Sequence, residues 1–554
     1  AYASAQGTAE ERVRLHVLVD DAAGPNPLAR QASSLGSLRR DVRGRGGTVE
    51  PFLPFEGTLQ RRWSEASPDV REKLGRLTRW FVVELDAEDA TAWRLEAMGR
   101  AGVLRVELPT PIEPARAIEI SDPDYPVWQA WMFEIIDLER AWDEVRAEDG
   151  DVIAAVVDEG FDVLHPDLAP NLWVNPGEIP GNDIDDDGNG YVDDVHGFNE
   201  TIGDGDVLFL EEFPLSRQHG TLVAGTLGAV TDNGIAGSGV AYNPRLMLVS
   251  AQDESGQGLD TTYAYRGITY AALNGASVIN CSWRGIWFTR PGEENRDSAP
   301  FRQFENDVVE AATALGALVV AAAGNDARSD LVPSPSHYPS VLSVTATNDR
   351  SDPWQLWQNS NSGPWVDIAA PGDGIFTIIP DGQTARFSGT SLAAPIVSAA
   401  AVLLKTKWPD WTPEQIRARL RATARDFSDT EPVEAHKDGA GRGMVQIGAA
   451  LTEPSIPAVS IRDVRFLADD QSPVFAPGDD LAVAFEAQSL FPYEGPVVVR
   501  LETDDPFLVP FESSLYLSQV TQGAPLSVRR GLELKLRETV PRGHVALVHL
   551  IVQA

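Results

Sequence analysis

Three short stretches carry the residues best suited to chemistry: VIAAVVDEGFDVLHPDL (152–168), SRQHGTLVAGTLGA (216–229) and FSGTSLAAPIVSAAAVLL (387–404). Their Asp158, His219 and Ser391 are the three side-chain types that nucleophilic catalysis combines. A serine hydroxyl is a weak nucleophile until a base within hydrogen-bond reach takes its proton, and that base needs a third group to fix its tautomer. Each residue alone has a plainer reading: Asp158 as a helix cap, His219 as a satisfied core histidine, Ser391 as the N-cap of an apolar helix. Their shared setting, each at a boundary between a loop and a buried element, favours the chemical reading for the set.

The elements that must position them are legible between about 128 and 451. Short, nearly continuous apolar runs at 152–157, 245–251, 276–282, 317–323 and 341–346 read as buried strands. Helical stretches at 220–230, 261–275, 307–316 and 391–406 alternate with them. This alternation predicts an α/β domain whose parallel sheet is covered by helices on both faces, with loops at the C-terminal strand ends carrying the chemistry. Before it, residues 1–115 hold strand-like runs at 14–19, 81–85 and 103–108 and a helical stretch at 89–102, a small α+β domain. A proline-containing polar passage, 116–127, reads as a linker. From 452 to 554 helical periodicity stops and alternating runs such as 481–488, 496–503 and 544–552 predict a β-sandwich-like domain.

In chain order, the three stretches resemble the motifs of the subtilisin-like serine proteases: Asp-(Thr/Ser)-Gly, His-Gly-Thr and Gly-Thr-Ser-Met-Ala-(Ala/Ser)-Pro. The resemblance implies a triad of Asp158, His219 and Ser391 in a subtilisin-like fold, and a serine endopeptidase activity. AAAGN (321–325) resembles the family's oxyanion segment, implying that the Asn325 side chain and the Ser391 backbone N–H form the oxyanion hole. SVINCSWRG (277–285) resembles the strand that pairs with substrate, so Ser282, Trp283, Arg284 and Gly285, with Ala323 and Gly324 opposite, are the expected substrate-binding residues. The first domain resembles the family's inhibitory propeptides, which implies a zymogen whose own segment is its intramolecular inhibitor. The alternative is a catalytically silent scaffold of the same fold, used for binding.

Two departures from the family pattern bear on chemistry. Glu159 stands where a hydroxyl residue usually follows the aspartate, removing a donor near Asp158 and adding a carboxylate that either raises the His219 pKa or faces solvent. Arg284 stands where glycine is usual. Inside the pocket for the residue before the scissile bond it would fill the space or favour an acidic side chain; turned outward it would do neither.

The loop NDIDDDGNGYVDD (182–194) sets Asp183, Asp185 and Asp187 at alternate positions, Gly188 sixth and Asp194 twelfth, the spacing of an EF-hand-like calcium loop. Asn189 and Tyr191 complete the expected ligand set for a structural Ca2+; no organic cofactor is expected. With 82 acidic against 45 basic side chains, the net charge of −37 disfavours nucleic acid and anionic membranes as partners. The single cysteine, Cys281, excludes an intramolecular disulfide. No apolar run reaches the ~18–20 residues of a membrane span, and the opening AYASAQG has no signal-peptide pattern. Protein or peptide substrates, a secreted or cell-surface location, and a C-terminal domain open to a surface or polymer as its ligand are the resulting expectations.

Overall fold

In the computed structural model, the described residues are 12–19, 38–51, 80–98, 103–107, and 120 onward except 208–215, 253–257, 286–302, 332, 349–354, 427–438, 454–457, 469–474, 494, 504, 542–547 and 554. The chain divides into two compact units, Ala1–Arg116 and Ala117–Ala554. Of the linker expected at 116–127, residues 116–119 lie outside the described residues, and 120–127 belong to the second unit, where Asp122 and Tyr125 are buried.

The first unit pairs β1 (Arg12–Val19), β2 (Thr48–Pro51), β3 (Trp80–Asp86) and β4 (Val103–Glu107) into an antiparallel sheet of order β2-β3-β1-β4. Helix α1 (Ala87–Met98) covers it. Val17, Phe81, Val83 and Leu85 meet Trp93 and Ala97 of the helix in one buried cluster. The predicted α+β pattern is therefore present; residues 99–102 of the helical stretch expected at 89–102 lie outside the described residues.

In the second unit, β5 (Ile153–Asp158), β6 (Gly197–Asn199), β7 (Arg245–Ser250), β8 (Ala276–Cys281), β9 (Leu318–Ala322), β10 (Leu342–Thr347) and β11 (Ile368–Pro371) form one parallel sheet. Its order is β11-β10-β9-β8-β5-β7-β6. Successive strand residues face opposite sides, and both sides are dry. Ala154, Val156, Leu248 and Val320 join one core with helices α2 (Ser216–Gly228) and α5 (Thr390–Lys407). Ala155, Val157, Val249 and Val319 join another with α3 (Thr261–Leu273) and α4 (Gln303–Ala314). This two-sided burial is why the strands read as unbroken apolar runs. A hairpin of β12 (Ile375–Ile379) and β13 (Gln383–Phe387) leads into α5, and α6 (Pro413–Ala422) follows.

Past residue 458 come β14 (Val459–Ala468), β15 (Asp480–Ser489), β16 (Gly495–Glu502), β17 (Leu508–Glu512), β18 (Ser514–Val520), β19 (Leu526–Val528), β20 (Glu533–Leu536) and β21 (His549–Gln553). They form antiparallel sheets of five and three strands around a shared core of Val483, Phe485, Val497, Val499 and Leu534. This β region packs on α6 and its approach: Trp411 meets Phe491, Gln415 Nε2 donates to the Leu490 carbonyl at 2.8 Å, and Arg462 pairs with Glu414.

Candidate active site

Asp158 is the last residue of β5 and is fully buried. Its Oδ1 accepts from His219 Nδ1 at 2.7 Å and from the Glu159 backbone N–H at 2.8 Å. Its Oδ2 is buried without a hydrogen-bond partner, at the place where the sequence lacks the neighbouring hydroxyl. His219 sits in the first turn of α2, and the next two residues explain how it gets so close. A Cβ on Gly220 would lie 2.4 Å from the Gly160 carbonyl oxygen, so only glycine lets the helix approach the loop after β5. Thr221 Oγ1 then accepts the Asp162 N–H at 2.9 Å, locking helix to loop.

Desolvation opposes charge on the imidazole, but the adjacent Asp158 carboxylate, its hydrogen bond and the Glu159 charge outweigh it. The His219 pKa is pushed up to about 9. The side chain keeps 34% of its surface open, as a base that must meet substrate requires. Cys281 is buried at the end of β8, and burial followed by the Asp158 charge pushes its thiol pKa up. It is a packed core residue, not a second nucleophile.

Ser391 is the second residue of α5, whose residues from Thr390 to Leu404 are all buried. Pro395, four residues on, has no N–H to give the Ser391 carbonyl. The freed carbonyl is instead met by Ser282 Oγ at 2.8 Å, while Ser391 Oγ donates to the Ser282 carbonyl at 3.0 Å. Ser282 is itself held by Asn280 Nδ2 at 2.9 Å, and Asn280 Oδ1 accepts from Ser398 Oγ at 2.9 Å. This buried polar chain ties α5 to the end of β8. The helix bearing His219 packs along the helix bearing Ser391, and Asp158 ends a strand of the same sheet, while the Ser391 hydroxyl bonds Ser282.

Asn325 follows β9 and is exposed. Its Oδ1 accepts from Thr390 N at 2.9 Å and Thr390 Oγ1 at 2.8 Å. Fixing the oxygen fixes the amide, leaving the Nδ2 hydrogens to donate beside the helix terminus, where the Ser391 N–H has no intrahelical acceptor. Trp283 Nε1 donates to the Val157 carbonyl at 3.0 Å and Gly285 N–H to the Ser334 carbonyl at 2.8 Å, which anchors the segment after β8. Ala323 and Gly324 form the segment opposite. A cavity of about 580 Å3 nearby is lined by Ala327, Arg328, Trp357 and Asp373 among others, and by none of Asp158, His219 and Ser391.

Carboxylate oxygens of Glu178, Asp187 and Asp194 lie within 4.8 Å of one another, a donor set that fits a hard divalent cation. Asp187 and Asp194 were expected from the loop spacing; Glu178 was not. Asp183 and Asp185 fall outside this group, and Asp185 accepts the N–H groups of Gly188, Asn189 and Gly190. Asn189 Nδ2 bridges Asp187 and Asp194, at 3.3 and 3.0 Å, and the Tyr191 ring packs edge-on against Phe198 and Tyr270. Burial, partly offset by hydrogen bonds from Tyr270 and the two asparagines, raises the Asp194 pKa.

Sequence reasoning also missed Thr390, Asn280, Ser398 and Asn361. Asn361 is fully buried and accepts the Asp326 and Arg328 N–H groups, shaping the loop after Asn325. For Asn280 and Ser398 the available signal was a polar residue inside an apolar run; Thr390 and Asn361 stand among Ser, Gly and Asn and carried no such signal.

A seven-stranded parallel sheet covered by helices on both faces, with a hydrogen-bonded aspartate and histidine at the end of one of its central strands, has the subtilisin-like α/β architecture. Residues 149–441, more than half of the chain, match the model described as the subtilase family, and the chain belongs to that family. It is 32% identical over 302 residues to subtilisin E of Bacillus subtilis (strain 168), a match covering 54% of this chain and 65% of that protein. Subtilisin of Bacillus pumilus is 33% identical over 302 residues, covering 54% of this chain and 90% of that one. A solved protease structure from Pseudoalteromonas arctica PAMC 21717 aligns at 26% identity with a TM-score of 0.46, covering 60% of this chain and 98% of that chain. The chain thus spans about two thirds of the length of subtilisin E.

Proposed function

We propose that the chain is a serine endopeptidase of protein or peptide substrates, carrying its own inhibitory segment in residues 1–115. The observation that carries this reading is the 2.7 Å contact between the buried Asp158 carboxylate and His219 Nδ1, on a helix that packs against the helix bearing Ser391. Asp158 keeps the proton on Nδ1 and leaves Nε2 to take the Ser391 proton. The serine oxygen, turned off the Ser282 carbonyl, bonds to the scissile carbonyl carbon as the carbonyl electron pair moves to oxygen. That oxyanion is met by Asn325 Nδ2–H and Ser391 N–H, with the positive end of the α5 dipole behind them. His219 returns its proton to the leaving amine as the C–N bond breaks. It then takes a proton from water as the water oxygen bonds to the acyl carbon, and gives that proton to Ser391 Oγ as the ester C–O bond breaks.

A structural calcium ion would be held by Glu178, Asp187 and Asp194, neutralising their charge and, through the Asp194–Tyr270 hydrogen bond, fastening the 175–194 loop to α3. Residues 452–554 are proposed as a domain for a surface or polymer. A secreted or cell-surface setting suits a subtilase; among the described residues, no helix is long and apolar enough to cross a membrane.

The silent-scaffold reading finds support in the Ser391 hydroxyl resting on Ser282. Labelling with a fluorophosphonate separates the two. The folded chain should take up one label that Ser391→Ala lacks; a folded chain that stays unlabelled after removal of residues 1–115 makes the scaffold reading the correct one.

A further inference from the structure

The gap beside Ser391 is bounded by two strand extensions, Ser282–Gly285 after β8 and Ala323–Asn325 after β9. Both touch the nucleophile's helix: Ser282 bonds Ser391, and Gly324 N–H donates to Thr390 Oγ1 at 3.0 Å. With an oxyanion held at Asn325, the side chain preceding the scissile bond must enter between these walls. Arg284 already lies there. Gly324 has φ +99°, and a Cβ on it would fall 2.3 Å from Arg284 Cδ and 2.7 Å from Nε, so the arginine stem lies flat on the opposite wall's backbone. The guanidinium ends on Asp326: Nη2 contacts Oδ1 at 2.5 Å. Asp326 is fixed in turn by the buried Asn361, which donates to its Oδ2 at 3.0 Å and accepts its N–H at 3.0 Å. Arg284 Nη1 is buried with no hydrogen-bond partner.

We propose that the Arg284–Asp326 pair is a strut across the pocket for the residue before the scissile bond, selecting substrates with a small side chain there, alanine, glycine or serine. The inference rests on the protease reading above. Two effects act together. The arginine stem occupies volume that a leucine or phenylalanine side chain needs. An acidic side chain gains little, because Asp326 already neutralises the guanidinium and places its own negative charge beside the newcomer. The stem also fits only while position 324 is glycine.

The test uses the processed enzyme and three peptide p-nitroanilides identical except for Ala, Leu or Glu at the last residue. The native enzyme is expected to favour Ala over Leu by about tenfold or more in kcat/KM, the scale of hydrophobic-pocket discrimination, and to cleave Glu poorly. Arg284→Gly should raise the Leu/Ala ratio by about 10–100-fold. Asp326→Asn, which leaves the guanidinium unneutralised, should raise the Glu/Ala ratio instead. Fluorophosphonate labelling of each variant shows that it is folded and armed. A native preference for Leu, or a Leu/Ala ratio unmoved in labelled Arg284→Gly, overturns the strut while the protease reading stands. No labelling and no hydrolysis of any peptide overturns the protease reading, and the pocket with it.

Discussion

At the residue scale, the departure from the family pattern that bears most directly on the triad is Glu159. The sequence reading left two roles open for it, a field on His219 or a solvated side chain, and its charge is among the causes that raise the His219 pKa. Asp158 Oδ2 is buried without a hydrogen-bond partner. Because the base must be neutral to accept the serine proton, the acid limb of kcat/KM is expected near pH 9, falling about tenfold per unit below it. Glu159→Ser removes one negative charge and supplies a hydroxyl to Oδ2. Both changes lower the His219 pKa, so the limb should move to lower pH in a pH–rate profile and in an NMR titration of the ring. A limb that stays in place in Glu159→Ser rules this electrostatic role out. The linkage follows with its sign: a histidine pKa raised on folding from about 6.5 to about 9 contributes stability that is fully present below about 6.5 and lost as pH rises through about 9.

At the scale of elements, the strands of the parallel sheet were legible because two-sided burial demands continuous apolar runs. Asp158 stood out as a candidate because it ends such a run, and His219 and Ser391 because each lies in the first turn of a helix. What escaped was what joins one element to another. Asn280 and Ser398 are 118 residues apart, and no local pattern announces a hydrogen bond of that span. Strand β6 has only three residues, too few for a period to declare itself. Glu178 lies outside the 182–194 spacing that suggested a calcium loop, and enters only because the fold brings residues 175–179 back against Asp187 and Asp194. Thr390 shows what this implies for chemistry, since its N–H and hydroxyl both hold Asn325 Oδ1. Thr390→Val, which keeps the backbone bond to Asn325 Oδ1 but loses the hydroxyl's bond to it and the acceptor of the Gly324 N–H, should lower kcat about tenfold or more with KM little changed. Thr390→Ser should restore most of it. Asn325→Ala should cost about 10²–10³ in kcat, a figure whose reference case is the equivalent donor of subtilisin itself. For the acidic loop, calcium should raise the melting temperature of the native chain, and Glu178→Gln should shrink that rise. A calcium-induced shift of equal size in both would remove Glu178 from the ligand set.

At the scale of the whole molecule, the division of the chain after Arg116 matters for how activity is switched on. The first unit has its own sheet and its own buried cluster around Trp93, so it can persist as a folded piece once the connection is cut. We expect the cut in the proline-containing passage that begins at 109, ahead of the residues held in the second unit, where Asp122 accepts the Asp232, Asn233 and Gly234 N–H groups and Tyr125 is buried. If Ser391 performs the cut, the products of processing report on the triad and on the inhibitory role of the first unit in one measurement. Intact masses of the purified chain and of Ser391→Ala, followed side by side in calcium, should diverge. The native chain should lose a fragment ending in the passage that begins at 109, while Ser391→Ala keeps its full mass. Adding a trace of processed native enzyme to the Ser391→Ala chain then distinguishes cleavage within one molecule from cleavage between molecules: a mass that still does not change assigns the cut to the chain's own serine. Loss of the same fragment from Ser391→Ala in the absence of native enzyme would show that another agent makes the cut, and would separate the zymogen proposal from the catalytic one.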